Sequence, residues 1–115
     1  MRGDDRVRVE HMIEATEAVA DFINGRRASD LETDRMLLFA VVRAIEVIGE
    51  AAARVSVDVT TKASAIPWRA IISMRNRLVH GYFDIDTDIV WTTATTELPA
   101  LLPHFRALLE DSQSG

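Results

Sequence analysis

A chain of 115 residues without cysteine has room for one hydrophobic core, and it excludes disulfide frameworks, thiol nucleophiles and thiolate metal sites. Its hydrophobic fraction of 48% and charged fraction of 27% are those of a globular protein. A net charge of −5 argues against a general coat for nucleic acid. The N-terminus, Met-Arg-Gly-Asp-Asp-Arg, is charged where an export signal is apolar. The expected compartment is the cytoplasm, and no membrane partner is expected.

The first periodic segment runs from Asp5 to Asn24. Val9, Met12, Ile13, Val19, Ala20 and Ile23 recur at helical spacing, and Thr16 falls on the same face. A threonine there is small enough to pack and can bond a carbonyl one turn back. Asp4 and Asp5 suit the first turn, and Gly25 suits the stop. His11 beside Glu10 and Glu14 reads as a solvated face, since no second histidine lies one turn on. Ser29 and Asp30 are placed to cap a short helical piece.

The longest helix is predicted from Asp34 to Val55. Leu38, Val41, Ile45, Ile48, Ala52 and Val55 form one stripe, while Leu37, Phe39, Val42 and Val47 cover other sides. A helix apolar nearly all round is a central one. Arg43, Glu46 and Glu50 interrupt it, which disfavours a membrane span. In so short a chain, such breadth predicts one face in the protein's own bundle and another in a partner copy, hence a homodimer. The three charges share a side and can pair with one another or with Arg54; alternatively, Glu46 or Glu50 holds an arginine across the bundle.

Residues Ser56 to Ile66 read as coil, because β-branched and small residues there show no helical period. Pro67 opens a third helix to about His80, with Gly81 as terminator. In Asp84-Ile-Asp-Thr-Asp, Asp86 or Thr87 is placed to cap a fourth helix; the calcium-loop positions lack the required Gly and Glu. Thr92 to Thr96 is poor in helix propensity, and Pro99 and Pro103 should kink or restart the chain. Leu101, Leu102, Phe105, Leu108 and Leu109 form a last amphipathic set, and the tail from Asp111 to Gly115 should fray. The fold class is all-α: an antiparallel bundle of four to five helices, a single domain over residues 1–110.

One stretch carries chemistry. No Asp or Glu occurs between Val59 and Phe83, while Lys62, Arg69, Arg75 and Arg77 give +4, leaving −9 elsewhere. Most of the surface should repel polyanions, and this segment should attract them. Within it lie Arg75, Asn76, His80 and Tyr82. Histidine can both take and give a proton near neutrality, and arginine presents a planar cation to phosphate. Together they suffice, in principle, to cleave RNA without a metal: one group moves a proton at the ribose 2′-OH or the leaving 5′-oxygen, the other stabilises charge on phosphorus. On one straight helix, Arg75 and His80 would stand about 140° apart, whereas Asn76 and His80 would share a face. Convergence on one phosphate requires either helix distortion near Gly81 or a symmetric dimer that joins two such segments. The blander role for His80 is a cap on the helix dipole.

Arg75-x4-His80-x-Tyr82 resembles the R-x4-H-x-Y signature of the HepT-like toxins of the HEPN superfamily. Ala40-Val-Val-Arg-Ala-Ile-Glu-Val-Ile-Gly-Glu-Ala-Ala and Ile66-Pro-Trp-Arg-Ala-Ile-Ile-Ser-Met-Arg-Asn-Arg-Leu-Val-His-Gly-Tyr-Phe resemble that family's central and active-site helices. The resemblance spans nearly the whole chain. It implies an all-α, HEPN-like homodimer and a metal-independent endoribonuclease with no cofactor, the toxin of a type VII-like toxin–antitoxin pair. Arg75 and His80 would be catalytic; from the residues themselves, Asn76, Arg77 and Glu46 are expected to be supporting and Arg69, Arg75 and Arg77 RNA-binding. The resemblance also implies a partner, a minimal nucleotidyltransferase antitoxin that transfers AMP to Tyr82. AMP there would put bulk and negative charge where an RNA phosphate must sit. RNA, whether tRNA or mRNA, is the expected substrate. The competing reading is a non-catalytic helical protein that binds nucleotide or RNA and docks to a nucleotidyltransferase, with His80 structural.

Overall fold

The computed structural model describes residues 1–80 and 84–114. Gly81, Tyr82 and Phe83 lie outside the described residues, so the expected terminator at Gly81 and the expected AMP acceptor at Tyr82 have no structural account.

Helix α1 spans Gly3–Ile23 and ends before Gly25, whose φ of 75° suits a residue without a side chain. Val9, Met12 and Val19 are fully buried, and Thr16 Oγ1 donates to the Met12 carbonyl at 2.7 Å. That bond lets a hydroxyl sit in the core, as expected from its place on the apolar face. Ala20, predicted on the same face, is exposed.

Helix α2 (Asp30–Thr33) is the short piece expected after the turn. Asp30 does not cap it but closes the turn backwards, its Oδ2 accepting from Arg27 N. Helix α3 (Arg35–Ala53) starts at an N-cap, Asp34, whose Oδ1 accepts from Leu37 N and whose Oδ2 lies 3.0 Å from Arg26 Nη2. At 19 residues it is shorter than the 21 of α1, so the longest helix is not the one predicted. Its central place is as predicted: α3 packs on α1, α2 and several of the later helices, and Leu37, Val41, Val42, Ile45, Ile48 and Ala52 are buried.

The predicted coil at residues 56–66 contains a helix, α4 (Val57–Lys62). Helical propensity there is low, and tertiary bonds decide the outcome. Asp5, buried in the first turn of α1, accepts from both the backbone N–H and the hydroxyl of Ser56, at 2.8 and 2.7 Å. Ser56 is thereby fixed as the N-cap, its carbonyl accepts from Val59 and Thr60, and Asp58 and Lys62 complement the short helix's dipole.

The predicted third helix is broken. Helix α5 (Trp68–Ile72) stops at Ser73, whose hydroxyl donates to the Arg69 carbonyl at 2.9 Å, and α6 (Met74–Leu78) continues beyond it. A serine bonding back into its own helix competes with the backbone ladder. The chain then becomes extended: β1 (Val79–His80) pairs antiparallel with β2 (Asp84–Ile85), Val79 opposite Ile85 and His80 opposite Asp84.

Helix α7 (Thr87–Thr92) is capped by Asp86, as the sequence suggests. It passes directly into a π-helical turn at Thr93–Glu97 and then α8 (Leu98–Ser114). Pro99 has no N–H to give the preceding turn, and a wide turn in that place accommodates the missing donor. Pro103 sits inside α8, which runs past the Asp111 at which the sequence predicts fraying. The main rods are thus α1, α3, the broken α5–α6 and the continuous α7–α8, around one cluster of buried side chains. This is the predicted all-α bundle with a two-residue strand pair added. Among the described residues no helix is long and apolar enough to cross a membrane.

Candidate active site

Gly49 on α3 places the segment that leads to Arg75 and His80. A Cβ there would meet the Ile71 and Ile72 carbonyl oxygens at 3.2 and 3.3 Å, so α5 ends pressed against α3. Met74 and Leu78 are buried, and the residues between them, Arg75, Asn76 and Arg77, face outward.

Each arginine meets a carboxylate from another element. Arg75 Nε lies 3.3 Å from Glu46 Oε2, one turn before Gly49 on α3. The carboxylate that pairs with neighbours on its own helix therefore also holds an arginine across the bundle, since Arg43 Nη1 is 4.0 Å from Glu46 and 3.2 Å from Glu50. Arg77 Nη1 lies 3.2 Å from Glu97 Oε1 in the π-helical turn, where Glu97 Oε2 accepts from Thr93 Oγ1 at 2.9 Å. The acid-free run is consequently less cationic in three dimensions than along the sequence. Arg69 and Lys62 have no ion pair among the described residues.

His80 stands on β1 and not on a helix, which overturns the predicted shared helical face with Asn76 and the reading of His80 as a helix-dipole cap. The helix ends at Leu78, three residues before the expected terminator, because strand pairing takes over. The helix is thus distorted ahead of Gly81, as one of the two expected routes requires. Arg75 and His80 are both exposed and are tied to different partners, Glu46 and Asp86.

His80 Nε2 lies 3.2 Å from Asp86 Oδ2, while Oδ1 of the same carboxylate accepts from Ile89 N. The Ile89 N–H first, and then the His80 ring, hold the Asp86 carboxyl below its ordinary pKa. Asp86 is the neighbour of His80 that sequence reasoning missed, having read it as a cap alone. It lies six positions on from His80, and the antiparallel pairing of β1 with β2 brings the two together. Glu97 was equally hidden, being twenty residues from Arg77.

The sequence model of a family described as Ribonuclease HepT-like matches residues 12–108. A protein of Thermococcus cleftensis named "Probable ribonuclease HepT" is 33% identical over 108 residues, covering 94% of this chain and 98% of its own. A protein of Caldanaerobacter subterraneus subsp. tengcongensis named "Putative RNase" is 32% identical, covering 89% of this chain and 91% of its own. In Methanocaldococcus jannaschii, a protein named "Gamma-glutamylcyclotransferase and putative RNase" is 29% identical, and the chain spans 50% of its length. No solved structure matches the chain.

Proposed function

Since the chain belongs to the HepT-like ribonuclease family, we propose that it is an endoribonuclease that cuts RNA through Arg75 and His80. The observation that carries the reading is that both side chains are exposed and each is held by a carboxylate of another element. Glu46 approaches Arg75 at Nε, on a side chain 56% exposed that also carries two terminal guanidinium nitrogens. They are the atoms that suit two phosphate oxygens.

The reaction needs no metal. The ribose 2′-oxygen attacks phosphorus as its proton passes to a base, the bond to the 5′-oxygen breaks, and a proton goes to that leaving oxygen. The products are a 2′,3′-cyclic phosphate and a 5′-hydroxyl. His80 moves one of the two protons, and Arg75 stabilises the charge that builds on the phosphoryl oxygens. Asn76, Arg69 and Arg77 line the approach for the rest of the RNA.

The reading extends to a homodimer whose two copies complete one cleft. It is supported by apolar side chains left in water: Met36 and Phe39 on α3 are 82% and 53% exposed, and Phe22 on α1, also exposed, lines a shallow groove with Ala18, Ala40, Ala44 and Val47. It extends also to a toxin neutralised in the cytoplasm by a nucleotidyltransferase antitoxin that places AMP on Tyr82.

The decisive experiment is cleavage of RNA in EDTA by purified protein, with end analysis. Wild type should leave cyclic or 3′-phosphate ends, and Arg75→Ala and His80→Ala should each lose about a hundredfold or more. Variants that cut as well as wild type overturn the assignment. Co-expression with the nucleotidyltransferase should add AMP detectable by mass spectrometry, and Tyr82→Phe should abolish it.

A further inference from the structure

We infer that Asp86 is the positioning residue for His80: it fixes the neutral imidazole as the Nε2–H tautomer and leaves Nδ1 as the nitrogen that takes a proton from RNA. The inference rests on the catalytic reading of His80 and deepens it.

The argument begins with what a carboxylate can do. With its pKa held low by the Ile89 N–H, Asp86 is ionised near neutrality and can only accept hydrogen bonds. Oδ2 stands 3.2 Å from His80 Nε2, so the hydrogen of that contact belongs to the ring. A neutral imidazole with hydrogen on Nε2 carries its lone pair on Nδ1. The carboxylate is itself immobilised, because Oδ1 caps α7 and β1 pairs with β2 immediately before it. Asp86 N donates to the Leu78 carbonyl at 2.7 Å, tying the acid to the last residue of α6. One side chain therefore sets both the start of a helix and the orientation of a ring.

This double use separates two substitutions that otherwise look equivalent. Asp86→Ser keeps a good N-cap but is too short to serve the ring as well. Asp86→Asn also caps α7, yet with Oδ1 committed to Ile89 N it turns its NH2 toward His80. An amide donor at that place demands a lone pair on Nε2, which moves the ring hydrogen to Nδ1 and removes the acceptor. The conservative replacement should thus be the more damaging one. In serine-protease chemistry, an imidazole held in the wrong tautomer loses up to about 10⁴ in kcat.

The test combines kinetics with long-range proton–nitrogen NMR of the His80 ring in its neutral form. Both variants should melt near the wild-type temperature. Wild type should show hydrogen on Nε2 and Asp86→Asn hydrogen on Nδ1. The kcat for RNA cleavage should fall about tenfold in Asp86→Ser and about a hundredfold or more in Asp86→Asn, with KM little changed in either. Hydrogen on Nδ1 in wild type, or Asp86→Asn cutting at least as fast as Asp86→Ser, overturns the inference and leaves His80's catalytic role standing. His80→Ala cutting as fast as wild type overturns the catalytic reading, and with it any catalytic part for Asp86.

Discussion

Gly49 and Ile71 approach so closely that a methyl group on the glycine would stand 3.2 Å from the isoleucine carbonyl oxygen. The neighbouring Ile72 carbonyl oxygen stands at 3.3 Å, and backbone atoms cannot swing away as a long side chain can. Gly49→Ala should therefore destabilise the fold by about 1–3 kcal/mol, the cost of overpacking, although alanine favours a helix. Urea denaturation measures it. A neutral or stabilising result would mean that α5 can retreat from α3.

Glu46 offers a test of orientation distinct from stability. Its pair with Arg75 is half in water, so Glu46→Ala should change folding stability by no more than about 1 kcal/mol. An arginine that loses its anchor must be ordered again in every encounter, and kcat should drop about tenfold. Steady-state cleavage beside a denaturation curve separates the two effects. An unchanged kcat would show that Arg75 finds its place from the substrate alone.

Asp5 reaches across 51 residues to hold Ser56 through two hydrogen bonds. Asp5→Ala leaves the start of α4 without that anchor and should cost about 2–3 kcal/mol, bonds to a charged acceptor being the stronger kind. Ser56→Ala keeps the backbone bond and should cost about 1 kcal/mol. Chemical denaturation of both variants gives the comparison, and equal losses would contradict it.

Acid should weaken the fold through its two helix caps. The Leu37 N–H and then Arg26 lower the pKa of Asp34, as the Ile89 N–H and then His80 lower that of Asp86. Carboxylates with folded values below the ordinary 3.8 contribute stability above that pH and lose it as the pH falls through the folded value. Asp34→Asn and Asp86→Asn keep a capping oxygen without a titrating charge. Their urea midpoints should fall less than wild type's on acidification below 3.8. Equal falls would place the acid sensitivity elsewhere.

Periodicity alone was enough to find α1 and α3, because each buries a stripe whose spacing is that of a helix, down to Thr16 on the buried face. Asp86, with Thr87 as the alternative, was legible as a start, since a short side-chain oxygen ahead of an apolar run has a local purpose. The chemistry of Arg75 and His80 was legible too, as residue types in an acid-free run. Their arrangement was not. The sequence carries a helical pattern through residues 67–80, and nothing local says that Ser73 breaks it or that β1 ends it. Those outcomes depend on Gly49 receiving the end of α5 and on Asp84 and Ile85 returning beside His80. Low-propensity residues 57–62 become helical only because Asp5 fixes their first turn. Helical stripes and caps depend on neighbours within a turn or two, and a sequence displays them. The pairs Glu46–Arg75, Glu97–Arg77 and Asp86–His80 depend on where separate elements come to rest, which only packing decides.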